Sequence, residues 1–235
     1  TWQSGLLPAL TGQPRIGGSV VNAVLQPTMF SSESELAGVG EYIEALGISN
    51  DEHSLAATYV IEDLARNVFH HASTHGGGAH VAARYDLNDQ TLRVGVADCG
   101  KGIPSDIREN LGESIGDIEA VTAAMEPEIS GSAQPGVNRG VGLYFIRRLA
   151  LASRGALWLK TGRVLVDIAP RTPDTISVQP VLAGEEWQGC AVGVMLRLEE
   201  FDNFQQILEA IRSDLDHQRS NARQILFYKQ DNSSE

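Results

Sequence analysis

Apolar residues recur at helical spacing over residues 33–46, where Leu36, Val39, Tyr42, Ile43 and Leu46 fall near one stripe. Gly47 follows and predicts the stop, since glycine accepts the left-handed turn that commonly ends a helix. Asp51 and Glu52 open a second pattern, with acids at the positive end of the helix dipole. This helix is expected to run to about residue 73, and Ala57, Ile61, Leu64 and Val68 give it an apolar stripe that must face a core. Gly76, Gly77 and Gly78 end the pattern. Residues 80–87 and 91–97 read as two strands joined at Asn88-Asp89, a hairpin signal. A third helix is expected over 141–153, with Leu143, Ile146, Leu149 and Ala150 on one side. Residues 156–160, 163–168, 175–178 and 191–198 read as strands, 201–217 as a helix, and the remainder as a polar tail.

Two stretches break this regularity. Residues 1–32 are rich in Gly, Pro, Ser and Thr, with one apolar run at 19–25, and read as an arm or short strand with loops. Residues 100–139 hold many glycines and acids and one helical patch at 115–125. A connection of that length usually serves as a functional lid or stays disordered. The lid is expected over 104–139. Strands bunch together instead of alternating with helices. The expectation is an α+β sandwich, helices on one face of a mixed, mostly antiparallel sheet, over a doubly wound fold. Three segments follow from this: an arm and helix at 1–49, a central domain at 50–200, and a helix with polar tail at 201–235.

Composition narrows the class. The chain has 235 residues, 42% hydrophobic and 20% charged, which is ordinary for a globular protein and excludes disorder throughout. Acids number 30 against 18 Lys and Arg, a net charge of −12, which argues against a nucleic-acid partner that would need a basic footprint. No run approaches the roughly 20 apolar residues that span a bilayer. Residues 1–10 lack the charged and apolar regions of a signal peptide, and the initial Thr leaves room for a trimmed start. With two cysteines, Cys99 and Cys190, a disulfide framework is not expected and a reducing cytoplasm is.

Three local patterns carry candidate chemistry. On the second helix Asp63, Asn67 and His71 fall at i, i+4 and i+8 and share one polar face. That pattern alone also suits a solvated surface. Next, an apolar strand ends in Asp98-Cys99-Gly100-Lys101-Gly102-Ile103. A half-buried Asp there can accept a hydrogen bond from an amine, and alternate glycines let backbone approach a flat ligand. A plain turn is the competing explanation. Third, Gly136-Val137-Asn138-Arg139-Gly140-Val141-Gly142-Leu143 opens a helix. Free backbone N–H groups and the helix dipole favour an anion at such a start, and Arg139 adds a full charge. A flexible loop before a packing helix would look the same. His71 and His75 stand a turn apart, as zinc ligands could, yet no third ligand shares their spacing, and helix-end histidines are the preferred reading.

In this order, with a lid between the last two, the patterns resemble the N, G1 and G2 boxes of the GHKL superfamily of gyrase, heat-shock chaperone, histidine kinase and MutL-type ATPases. The resemblance spans roughly residues 50–200 and implies a Bergerat-type two-layer sandwich that binds ATP with Mg2+. It implies Asn67 as the Mg2+ ligand and Asp98 as reader of the adenine amine. Gly100, Gly102 and Ile103 would wall the base, and Arg139, Gly140, Val141, Gly142 and Leu143 would hold phosphates. His70 or His71 stands where many relatives carry a phosphate-facing basic group. Two departures stand out. Asp63 occupies a position where several branches have a Glu general base, one methylene longer, while Glu62 points roughly 100° away. Cys190 replaces a Thr that in relatives often helps hold a water near the adenine, and a thiol is a weaker donor.

The resemblance implies a protein kinase or ATPase switch in a regulatory system, working with a regulatory protein partner. A second reading is an interaction module in which ATP orders the lid for docking without turnover. Residues 1–50 contain no His, so no autokinase acceptor is expected in this chain. Transfer in trans to a Ser of a partner, as in anti-sigma-factor kinases, is the preferred picture. The pattern gives no oligomeric state.

Overall fold

The computed structural model describes residues 23–71, 77–111, 114–126, 142–168, 177–181 and 186–231. Residues 1–22 of the expected arm, 72–73 at the expected end of the second helix, 112–113 and 127–139 of the expected lid, 140–141 after it, 175–176 of an expected strand and 232–235 of the expected tail lie outside them. Seven strands among the described residues make one sheet in the order β1-β2-β3-β7-β4-β5-β6. They are β1 Ala23–Phe30, β2 Ala79–Asp86, β3 Thr91–Ala97, β4 Ala156–Gly162, β5 Val164–Ile168, β6 Ser177–Pro180 and β7 Trp187–Arg197. Every neighbouring pair is antiparallel. The last strand in the chain enters the middle of the sheet, where Val194 pairs with Val94 on one side and Leu157 on the other.

Six α-helices among the described residues accompany the sheet: α1 Val39–Ala45, α2 Asp51–His71, α3 Ile103–Leu111, α4 Asp117–Ala124, α5 Gly142–Ala152 and α6 Phe204–Asp231. α2 packs on β2 and β3, α5 on β4 and β7, and α6 against both α2 and α5. This layer of helices over an antiparallel sheet is the α+β sandwich expected from the strand order. The predicted stripe of α2 is the packed one, with Ala57, Ile61, Leu64 and Val68 all buried. Leu149, Leu157, Val194 and Phe204 are fully buried in the same core. The Phe204 ring meets both Tyr59 and Phe201 edge-on at 5.6 Å. Glu52 Oε2 accepts the Phe204 N–H at 2.7 Å, so α2 satisfies an unpaired donor at the start of α6.

Several elements differ from the sequence reading. The pattern at 33–46 splits into a 3-10 turn, Glu33–Gly38, and α1, since Gly38 and Gly40 weaken a continuous helix. The β2–β3 connection takes four residues, with Gln90 at φ 49° and Asp89 Oδ1 accepting the Thr91 N–H at 3.1 Å. A two-residue turn at Asn88-Asp89 is therefore not formed. The patch expected at 115–125 is α4, and a further helix, α3, precedes it where none was expected. α3 was hidden by glycines before it and Pro104 in its first turn, a place where the missing N–H costs nothing. Ile107 anchors α3, and Val121 and Met125 anchor the α4 region, all buried. α6 continues to Asp231, where a polar tail was expected, because charge and amide side chains permit helix as readily as coil. β1, Ala23–Phe30, carries the expected strand on to Phe30, while residues 19–22 of the apolar run lie outside the described residues. Among the described residues no helix is long and apolar enough to cross a membrane.

Candidate functional site

β3 ends at Ala97 and hands the chain to Asp98, which is buried at 7% exposure. Its position is set by backbone groups. The Asp98 N–H donates to the Cys190 carbonyl at 2.9 Å, and Oδ1 accepts the N–H of Gly100 at 2.7 Å and of Cys190 at 3.2 Å. Burial pushes the Asp98 carboxyl above its ordinary value, against the pull of those N–H donors and of His71 nearby. Gly189 sits at φ +95°, and a Cβ there would lie 2.7 Å from Asp98 Oδ1 and 2.3 Å from its carbonyl oxygen. Only glycine admits this approach. Cys190 has its thiol pushed well above the ordinary value by burial and by the Asp98 charge, so it stays protonated.

Gly102, at φ +77°, turns the chain into α3. The Ile103 N–H then donates to Thr161 Oγ1 at 3.0 Å, and the Thr161 hydroxyl donates to the Gly189 carbonyl at 2.9 Å. The structure thus gathers Asp98, Gly100, Gly102, Ile103 and Cys190 into one turn. Thr161 belongs to it and was not found from the sequence. Its only signal is the antiparallel register that sets Thr161 opposite Cys190, and strand order is invisible in local spacing.

The second cluster lies between α2 and α5. Gly142 opens α5, and a Cβ there would lie 2.8 Å from Asn67 Nδ2, 3.0 Å from Asn67 Oδ1 and 2.9 Å from Asp63 Oδ2. Asp63 Oδ2 and Asn67 Nδ2 are buried without a hydrogen-bond partner among the described residues. Desolvation pushes the Asp63 carboxyl up to about 6, partly countered by Arg66. Tyr59, one turn earlier on α2, is pushed up to about 12 by burial and then by the Asp63 charge. Glu62 faces elsewhere: Arg66 lies 3.5 Å from it, and Arg66 Nε reaches Glu33 at 3.0 Å.

His71, a further turn along the polar face, joins the clusters. Its Nδ1 lies 3.0 Å from Asp106 Oδ2 on α3. Lys101 Nζ lies 2.8 Å from Asp106 Oδ1 and 2.6 Å from Glu109 Oε2. Burial alone would raise Asp106, but hydrogen bonds from His71 and Lys101 outweigh it and hold the carboxyl below its ordinary range. His70 is not part of this group; its Nε2 stands 3.9 Å from Glu33 Oε2, and burial holds its pKa below the ordinary value. Leu143 packs half-buried against the core. Arg139, Gly140 and Val141 lie outside the described residues.

Asp63 and Asn67 stand directly against the start of α5, where even a Cβ at Gly142 would meet them at 2.8–3.0 Å, so a cation with phosphates would need these side-chain ends to turn outward. Asp63 Oδ2, a carboxylate oxygen, and Asn67 Nδ2, a hydrogen-bond donor, lack partners among the described residues, and of the groups here a carboxylate oxygen and the Asn67 amide oxygen are of the hard type that Mg2+ takes. The start of α5 carries no acid in its first turn to repel an anion. Among the described residues no group of three or more His, Cys, Asp or Glu could hold a metal by itself. Any cation there would lean on a ligand's oxygens. A family model described as histidine kinase-, DNA gyrase B-, and HSP90-like ATPase matches residues 52–192. The match takes in Asp63, Asn67, Asp98, Gly142 and Cys190. None of the curated proteins matches the chain.

Proposed function

The chain belongs to the histidine kinase-, DNA gyrase B- and HSP90-like ATPase family, and from that we propose that its ATP-binding domain is catalytic, a protein kinase or ATPase switch in a regulatory system. The observation that carries this is Asp63: half-buried, with Oδ2 buried and unpartnered among the described residues, its carboxyl pushed up to about 6, and set beside Asn67 against the start of α5. A general base works best with a pKa near the operating pH, and a carboxyl at its ordinary value would be far from it.

The roles divide by chemistry. Asp98 commits Oδ1 to two backbone donors, and its other oxygen is offered to the exocyclic amine of adenine, which guanine lacks at that position. Gly100, Gly102 and Ile103 shape the wall beside the base. Asn67 offers its amide oxygen to Mg2+, which supplies charge neutralisation for the phosphates. The α5 start at Gly142, with Arg139, Gly140 and Val141 before it, receives the phosphates. Asp63 as carboxylate takes the proton of a water or protein hydroxyl while that oxygen bonds to the terminal phosphorus. ADP leaves with the electron pair of the broken P–O bond. A partner's hydroxyl makes this a kinase acting in trans, and water makes it an ATPase.

A second reading rests on the shortness of Asp63. One methylene less than Glu weakens reach more than binding, which would leave an ATP-ordered docking module without turnover. Incubation with γ-labelled ATP, alone and with lysate, separates the two. Label released as phosphate or moved to a protein, and lost in D63N, is the expected result. Tight ATP binding with no transfer in either arm overturns the catalytic reading and leaves the module.

A further inference from the structure

We infer that Thr161 is a positioning residue for adenine selection, a claim that rests on the ATP-binding reading of the Asp98 turn. Thr161 is fully buried, so its side chain does not reach a ligand. Its hydroxyl is nonetheless committed on both sides of the turn. It donates to the Gly189 carbonyl at 2.9 Å and accepts the Ile103 N–H at 3.0 Å. Gly189 is followed by Cys190, whose N–H and carbonyl hold Asp98 at 3.2 and 2.9 Å. Ile103 stands three residues past Gly100, whose N–H holds Asp98 Oδ1 at 2.7 Å. One hydroxyl therefore fastens the two backbone segments that between them aim the carboxylate.

The same bond serves a helix end. The Ile103 N–H is the first of α3 and has no partner within its own helix. Thr161 caps it from a strand 58 residues away in sequence. α3 in turn carries Asp106, which holds His71 at 3.0 Å. Gly102 leaves no slack, since a Cβ there would meet Thr161 Oγ1 at 2.9 Å. Cys190 cannot substitute for this hydroxyl, because a protonated thiol is a weak donor and a weak acceptor. Removing the hydroxyl while keeping the shape orphans a part-buried N–H and a buried carbonyl together, and the turn must shift to rehydrate them. A shift of that kind falls on the atom that distinguishes an amine from a carbonyl on the purine.

The test compares ATP and GTP affinity, by titration calorimetry, for the wild-type chain, T161V and T161S. T161V is expected to bind ATP about tenfold more weakly, the size of one to two neutral hydrogen bonds. GTP binding should change little, so the ATP preference collapses. T161S keeps the hydroxyl and should stay within about twofold of wild type. Equal losses for both nucleotides in T161V would mark a merely structural residue and overturn the proposal, as would an unchanged preference. Should T161V not fold, amide exchange in the wild-type chain decides: the Ile103 N–H must be protected without nucleotide, and rapid exchange there overturns the clamp. A wild-type chain that binds neither nucleotide defeats the ATP reading itself, whereas a selective wild type with an equally selective T161V defeats only the role of Thr161.

Discussion

At the level of single residues, Asp63 makes the most specific demand. Its carboxyl pKa moves from the ordinary 3.8 to about 6 in the fold, because burial penalises the charged form. A folded-state pKa raised above the unfolded value means the native state holds the proton more tightly. Stability is then highest below the unfolded value and declines as pH climbs through the folded one. The loss between about pH 4 and 6 reaches about 3 kcal/mol at most, and water entering the gap reduces it. D63N removes this one titration while Asp98, Asp106 and the other groups remain, so its urea midpoint should fall less across that window than that of the wild type. Parallel pH profiles for the two chains would mean Asp63 is not desolvated. Turnover should show the complementary sign, with kcat/KM rising through about pH 6 as the base loses its proton, and D63N inactive at every pH. Asp63, Asn67 and Asp98 could be read from spacing because their face and their strand end are local features. Thr161 could not, because only the β4–β7 register gives it neighbours.

At the level of elements, the gap between α2 and α5 should govern nucleotide affinity more than stability. G142A adds one methyl where Asn67 Nδ2, Asn67 Oδ1 and Asp63 Oδ2 stand at 2.8, 3.0 and 2.9 Å. These are side-chain ends that can turn aside, and alanine gains up to about 1 kcal/mol of helix propensity over glycine. The two effects oppose, so Tm should stay within about 4 °C of wild type. The amide and carboxylate that turn aside no longer face the phosphates, and Mg-ATP affinity by calorimetry should fall at least about tenfold, the equivalent of about 1.4 kcal/mol. An unchanged affinity would place the phosphates elsewhere. α2 was legible nearly end to end from its apolar stripe, and so were α5 and most strands. α3 was not, since two glycines and Pro104 mimic a loop, and only the burial of Ile107 shows what they flank. The long reach of α6 was missed for the opposite reason: polar residues that permit a helix do not announce one.

Across the whole molecule, the site is a product of strand order. β7 comes last yet lies between β3 and β4, so the end of β3, the start of β7 and the end of β4 meet at one end of the central strands. That brings Asp98, Cys190 and Thr161 together although they span much of the chain. The α2 face with Asp63, Asn67 and His71 lies across the same end, tied to α3 through Asp106. Local periodicity predicts each strand, but the pairing of the last strand with two earlier ones is a long-range choice made by burial, with Val94, Val194 and Leu157 all fully buried along one row. A ligand that touches β3, α2 and α5 at once must stabilise the fold as a unit. Binding at about a hundredfold excess over Kd adds about 2.7 kcal/mol to the native state. For a chain of this size each kcal/mol raises Tm by about 2–4 °C, so Mg-ATP at that excess should lift the thermal midpoint by about 5–10 °C in scanning calorimetry. N67A should lose the part of that shift which depends on Mg2+ and keep the part due to the nucleotide alone. A full Mg2+-dependent shift in N67A would remove Asn67 from the metal site, and no shift with any nucleotide in the wild type would mean that the three elements do not share a ligand.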